Sequence, residues 1–339
     1  MFDFSPWIDL PLLWAGIIGV AVLMYVVLDG FDLGCGILFP FAPSDACRNK
    51  MMNSIAPFWD GNETWLVLGG GGLLAAFPLA YAVLMPALYL PVIFMLLGLV
   101  FRGVAFEFRF KTTGRDRKLW DVSFHAGSLL AAFMQGVILG TIVQGVDVLG
   151  RSFAGDALYW ASGFSMMTGL AVVFGYALLG ATWLILKTDG KTQAWARKAG
   201  LYVLGFVGFF MVVVSAAMPL IDPRIFTLWF TAPNIYFLAI IPALTVAGFV
   251  LLYFDLHSKA DVRPFFTAIG LFFLGFLGLA ISLYPWMVPY AFTLWEAAAA
   301  TTSLSLMLVG VAIFLPLILC YTAYSFYVFR GKSDDKKMY

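Results

Sequence analysis

The distribution of charge along this 339-residue chain constrains its fold more than any motif does. Charged residues are absent from 10–28, 64–101, 122–146, 157–186, 199–221, 225–254, 264–295 and 297–329. A helix needs about 20 apolar residues to cross the hydrocarbon core of a bilayer, so seven of these stretches predict one span each. The exception, 64–101, holds 38 residues and would reach roughly 57 Å as a single helix. A break at Phe77-Pro78 divides it, and the first of its two helices is expected to begin near Met52. The count is nine spans. Only 12% of the residues are charged, against about 25% in a soluble domain. The expected fold class is therefore all-α: a polytopic membrane protein with nine transmembrane helices.

Basic residues set the orientation, because cytoplasmic loops collect Lys and Arg. With the N-terminus outside, the inside segments hold Arg48 and Lys50, the six basic residues from Arg102 to Lys118, four from Lys187 to Lys198, Lys259 and Arg263, and four in the C-terminal tail. Only Arg151 and Arg224 fall outside. The expected topology is N-out and C-in, with 102–121 as the longest inside loop. The acidic start "MFDFSPWIDL" lacks a basic n-region and a cleavage site, so the first apolar run is read as a retained span. One integral membrane domain is expected over 1–339. Its first bundle covers about 8–147, a second bundle with an extra helix about 156–330, and a cytoplasmic tail 331–339. The "GGGG" at 69–72 and "AAAA" at 297–300 read as helix-packing devices.

Few residue types remain for chemistry. A net charge of +1 without a basic, aromatic-laced patch excludes nucleic acid as a partner; lipid is the surrounding medium. Cys35, Cys47 and Cys320 show no CxxC spacing, and no metal-ligating constellation occurs. Two histidines, His125 and His257, are too few for several bis-ligated haems. The isolated chain is expected to bind neither haem nor metal.

The acids at membrane depth stand out. "VVLDGFDLG" places Asp29 and Asp32 three apart on one helical face, at the inner end of the first span. "FWDGNETW" repeats the spacing with Asp60 and Glu63, between Trp59 and Trp65. Glu107 follows the third span beside Arg109 and Lys111, and Glu296 precedes the last span. Intramembrane ionisable residues are functional suspects. The competing structural readings are a helix-end cap for Asp29 and Asp32, and a simple ion pair of Glu107 with Arg109 or Lys111. Acids rising from the inner surface suit a proton path, with Asn62, Thr64, Gln135 and Gln144 available to hold water. A proton-coupled secondary transporter, or a scaffold without chemistry, fits the same acids.

The segments "LDGFDLG", "NSIAPFWDGNETWL", "FRGVAFEFRFK" and "TLWEA" resemble, in order, the signature segments of cytochrome bd-type quinol oxidase subunit II. The resemblance runs through the whole chain. With little between its sixth and seventh spans, the chain is similar to the compact second subunits of cyanide-insensitive oxidases. It implies two four-helix bundles plus a peripheral helix in a bacterial inner membrane. It also implies a haem-bearing subunit I as partner, carrying haems b558, b595 and d and the quinol site. Small single-span subunits accompany some members. No independent activity is expected of this chain; assembly and a proton path from the cytoplasm are its implied roles. Asp60 falls on the family's buried proton-path aspartate, Glu107 and Lys111 match residues at its entrance, and Asp29 and Asp32 match the acids of the first-span motif. Trp59 and Asn62 stand in the second-span motif. Some members carry a structural quinone, for which no motif here marks a site. Glu63 stands where some members have glutamine, which leaves open whether it or Asp60 holds the proton.

Overall fold

The computed structural model describes residue 4 and residues 7–333; the part of the predicted tail from 334 on lies outside the described residues. Helix α1 (Leu10–Leu38) starts where Asp9 accepts a hydrogen bond from the Leu12 amide at 3.0 Å and Pro11 supplies a preset first turn. It runs well past the charge-free stretch, so Asp29 and Asp32 lie inside the helix and cap nothing. A short helix α2 (Asp45–Ile55), capped by Ser44, precedes α3 (Trp59–Ala76). The turn at 56–58 between them corrects the expectation of one helix from Met52. The expected break at Phe77-Pro78 is present: Pro78 lacks an amide hydrogen and opens α4 (Pro78–Arg109).

Helix α5 (Gly114–Gln144) follows after only four residues, so most of the predicted loop 102–121 is helical. Beyond it, β1 (Val148–Leu149) and β2 (Ser152–Phe153) form an antiparallel hairpin. Then come α6 (Gly163–Lys187), with a Ser162–Ser165 capping box, and α7 (Gly190–Ile221). The stretch 225–254 is not one helix. It forms α8 (Pro223–Phe230), α9 (Asn234–Leu238) and α10 (Ile240–His257), because Pro233 follows a break at 231–232. Helix α11 (Arg263–Leu283) leads to a second hairpin, β3 (Trp286–Val288) with β4 (Phe292–Thr293). A four-residue α12 (Leu294–Ala297) and the long α13 (Thr301–Val328) complete the chain.

Among the described residues, eight helices are long and apolar enough to cross a membrane: those over Leu10–Phe41, Pro78–Arg109, Gly114–Gln144, Gly163–Lys187, Gly190–Ile221, Asn234–His257, Arg263–Leu283 and Thr301–Val328. The chain is thus a polytopic helical membrane protein. Helix α3 is absent from that set, since Asp60, Asn62 and Glu63 load its first turns with polar groups.

Helix α6 is the hub, packed against α1, α5, α7 and α11. Several crossings bring backbones together through glycine, those of α1 with α6 and of α4 with α5 among them. A Cβ on Gly34 of α1 would fall 1.9 Å from the Tyr176 carbonyl oxygen of α6, and one on Gly98 of α4 would fall 2.7 Å from the Gly127 carbonyl oxygen of α5. The largest apolar cluster lies toward the end bearing most of the basic residues, with Phe31 stacked on Trp183 at 4.1 Å and Phe58 on Phe326 at 4.4 Å. A second cluster, including Trp14, Phe77 and Val288, closes the hairpin end.

Candidate functional site

The polar centre is assembled from five helices. Asp29 and Asp32 come from α1, Asn62 and Glu63 from α3, Arg102 from α4, Gln135 from α5 and Tyr176 from α6. Gly30 and Gly34 make this possible on α1, because their bare backbone admits the Tyr176 ring and the α6 backbone. Arg102 Nη1 donates to Asp29 Oδ1 at 2.6 Å, and its Nη2 donates to Glu63 Oε1. Arg102 and Asp29 are fully enclosed, whereas the Glu63 side chain keeps 27% exposure. Asn62 Nδ2 bridges the Leu28 carbonyl at 3.2 Å and Asp32 Oδ2 at 2.7 Å.

Gln135 joins the same centre from above. Its Nε2 donates to the Tyr25 hydroxyl at 2.7 Å, and its Oε1 accepts from the Tyr176 hydroxyl at 2.7 Å. Asp29 Oδ2, Asp32 Oδ1 and Arg102 Nε are left without a hydrogen bond of ordinary geometry. Three carboxylates therefore face one guanidinium in an enclosed, low-dielectric space. Uncompensated buried charge is expensive, so the cluster is chemically suited to retain a proton and to exchange it through the partly exposed Glu63.

The other predicted residues lie outside this centre. Asp60 and Glu63 do not share a fate despite their spacing: Asp60 is exposed on the outer face of α3, so its burial in this chain, expected from the flanking tryptophans, is corrected. Trp59 stacks on Phe106 at 5.2 Å and packs against Gly103. Glu107, exposed one turn beyond Gly103, meets Lys111 at 3.4 Å. Arg109 turns away from both. It is buried, bonded to Asp121 and, at 2.8 Å, to Asn49 Oδ1. Glu296 sits at the hairpin end, where it forms a capping box with Thr293; the neighbouring Ala299 amide bonds the carbonyl of Ala76, at the far end of α3 from Glu63. Thr64 is turned outward onto the Gly61 carbonyl, and Gln144 accepts from Ser162 near the first hairpin.

Sequence reasoning counted Arg102 among loop cations and did not single out Tyr25 or Tyr176. A signal for Arg102 existed: Asp29, Asp32 and Glu63 at membrane depth require a cation, and Arg102 is the first one after the apolar run.

His125 Nδ1 lies 3.1 Å from the Gly36 carbonyl, and His257 Nδ1 lies 2.9 Å from the Tyr253 carbonyl one turn earlier in its own helix. Among the described residues no group of three or more His, Cys, Asp or Glu side chains could hold a metal ion.

Comparison with known proteins places this geometry in a family. The family model described as cytochrome bd terminal oxidase subunit II matches residues 10–329. Cytochrome bd-I ubiquinol oxidase subunit 2 of Escherichia coli (strain K12) is 30% identical, with 95% of each chain covered. Cytochrome bd ubiquinol oxidase subunit 2 of Bacillus subtilis (strain 168) is 31% identical over 96% of this chain and 97% of that one. The structure of bd oxidase from Geobacillus thermodenitrificans contains a chain that superposes with a TM-score of 0.71 at 18% identity, covering 95% of this chain and 97% of that chain, which establishes a shared fold. On the match of its sequence from end to end, this chain belongs to the cytochrome bd terminal oxidase subunit II family.

Proposed function

We propose that the chain is the haem-free second subunit of a quinol:oxygen oxidoreductase in a bacterial inner membrane. In this reading it pairs with a haem-bearing subunit I, supports assembly, and supplies a path for proton uptake to the site of oxygen reduction. Membership of the family makes it a subunit of a quinol oxidase complex, whose electron chemistry is the work of haems in the partner subunit. The observation that carries the proton-path reading is the enclosed Asp29–Arg102–Glu63 ion-pair network with Asp32 and Asn62 beside it.

The proposed route begins at Glu107 and Lys111 and passes Trp59 and Asp60. It enters the chain at the partly exposed Glu63 and ends at Asp32. Its four acids, Glu107, Asp60, Glu63 and Asp32, are carboxyls that can take and release a proton, and Asn62 holds Asp32 in reach. Nine spans support it, with the 18 residues of α3 as the ninth; at about 1.5 Å per residue α3 extends roughly 27 Å. The distribution of Lys and Arg supports N-out and C-in. Two four-helix bundles with α13 as the peripheral helix describe the same arrangement. On this topology the partly exposed Glu63 faces the cytoplasmic side with Asp32 enclosed behind it, which suits uptake from one side.

The deciding experiment is quinol oxidase turnover of the assembled complex carrying Asp32→Asn or Glu63→Gln. Both variants retain the haem spectrum, and both lose most turnover, because general acid–base groups contribute about 10²–10⁴-fold where proton transfer limits the rate. Wild-type turnover in both variants overturns the proton-path reading.

A further inference from the structure

We infer that Tyr176, Gln135 and Tyr25 form a one-way chain of hydrogen-bond donors that holds Asp29 as a fixed anion, leaving Asp32 to carry the exchangeable proton. The inference rests on the proton-path reading and divides the labour within it.

The direction of the chain follows from hydrogen counting. A tyrosine hydroxyl has one hydrogen to donate, and a glutamine side chain has one accepting oxygen and one donating nitrogen. Tyr176 donates to Gln135 Oε1, and Gln135 Nε2 donates to the Tyr25 oxygen, each at 2.7 Å. The Tyr25 oxygen is thereby an acceptor, and its own hydrogen must go elsewhere. One helical turn along α1 its hydroxyl meets the Asp29 carboxyl, where Oδ2 is the oxygen that Arg102 leaves unused. Reversing the amide would spend the Tyr25 hydrogen on Gln135. It would also leave the Tyr176 hydrogen facing the Phe272 ring stacked beside it. The observed orientation satisfies the Tyr176 hydroxyl and leaves the Tyr25 hydrogen for Asp29, which is the proper basis for assigning an amide.

Asp29 therefore faces two donors: Arg102, bonded to Oδ1, and the Tyr25 hydroxyl, to which the inference assigns the Oδ2 that has no other partner. A carboxyl that only accepts is an ionised one. Asp32 is arranged differently. It receives one bond from the neutral Asn62 amide, has no cation within bonding distance, and keeps Oδ1 free. A proton placed on Oδ1 disturbs no existing bond. The titratable or charged groups facing Asp29 are Tyr25 and Asp32 on α1, Glu63 on α3, Arg102 on α4 and Tyr176 on α6; α5 presents Gln135, which does not titrate. Tyr25, Gln135 and Tyr176 are thus positioning residues that act through Asp29.

The test is the pH profile of quinol oxidase turnover, recorded on the assembled complex with its haem spectrum checked. Tyr25→Phe removes one donor from Asp29 and keeps the ring. Asp29 then competes for the proton as pH falls. The acid limb of the profile moves to higher pH by about one unit, the weight of one hydrogen bond to a charged group, while the maximal rate is kept. Tyr176→Phe, one link further away, shifts the limb the same way by less. Profiles that superimpose on the wild type in both variants overturn the inference, as does loss of the haems in both, which would make the three residues packing groups. Asp32→Asn separates the layers. Wild-type turnover in that variant removes this inference, and wild-type turnover in Glu63→Gln as well removes the proton path with it. Lost turnover in Asp32→Asn, together with unmoved profiles in the tyrosine variants, removes the inference alone.

Discussion

Arg102 shows how much one side chain decides in this molecule. It is the only cation hydrogen-bonded to Asp29 and Glu63 among the described residues. Removing one member of a buried ion pair costs about 3–5 kcal/mol, because the other charge stays behind without compensation. Arg102→Met is therefore expected to abolish or sharply reduce the yield of assembled complex, read from the haem spectrum of purified membranes. The double variant Asp29→Asn/Arg102→Met should recover part of that yield, since the two substitutions share one interaction and do not add. Recovery no better than the single variant would mean that Arg102 acts mainly through Glu63. Asp60 belongs to the same scale. Its exposure on the chain places it outside the Arg102 network, so Asp60→Asn is expected to keep the haems and to reduce turnover less than Glu63→Gln does.

Among the helices, the decisive contacts are those in which no side chain intervenes. A Cβ on Gly180 would lie 2.4 Å from the Gly34 carbonyl carbon, and one on Gly127 would lie 2.6 Å from the Gly98 carbonyl oxygen. Backbone cannot yield as a flexible side chain can, so Gly34→Ala and Gly180→Ala should each cost at the upper end of ~1–3 kcal/mol or beyond. Gly205, with nothing within 4 Å of the added carbon, is the control. Thermal unfolding of the purified complex should separate Gly34→Ala from Gly205→Ala by several degrees; equal transition temperatures would show that α1 and α6 can slide apart freely. The same Gly34 crossing holds Tyr176 over α1, so a helix-packing device also sets the geometry of the polar centre.

At the scale of the whole molecule, the two ends are tied by surface ion pairs and caps with a common pH dependence. The hydrogen bond from Arg48 holds the Asp45 carboxyl below the usual carboxylate range; Lys50 does the same for Asp189, Arg224 for Asp222, and the Thr293 amide for Glu296. A carboxyl whose proton affinity is lower in the folded state stabilises the fold above its ordinary pKa, and that stabilisation is lost as pH falls through the folded value. The transition temperature of the detergent-solubilised complex should thus be level near neutrality and decline below about pH 4–5. Asp45, Asp189 and Glu296 are exposed, so their individual effects are small; Asp222 is buried, with its partner Arg224 exposed. A transition temperature that rises on acidification would contradict the assignment.

Much of this architecture was legible without coordinates. Charge-free stretches of bilayer length impose spanning helices because unpaired backbone cannot sit in hydrocarbon. The break at Phe77-Pro78 follows from proline chemistry. The clustering of Asp29, Asp32, Asn62 and Glu63 was readable in outline, since acids at membrane depth must turn inward toward one another or toward a cation. The family segments were legible too, and two of them, "LDGFDLG" and "NSIAPFWDGNETWL", hold these same residues. What only the tertiary structure decided is which groups face which. Helices apolar on all sides carry no stripe to reveal their rotation, so nothing in the local sequence showed Arg102 entering between Asp29 and Glu63, or Gln135 between two tyrosines. The same ambiguity hid the outward turn of Asp60, three residues from Glu63 yet on the other side of the contact between α3 and α1. Helix rotation and crossing are set by packing across the bundle, through Gly34 and Gly180 above all, and that information is spread over residues far apart in the chain.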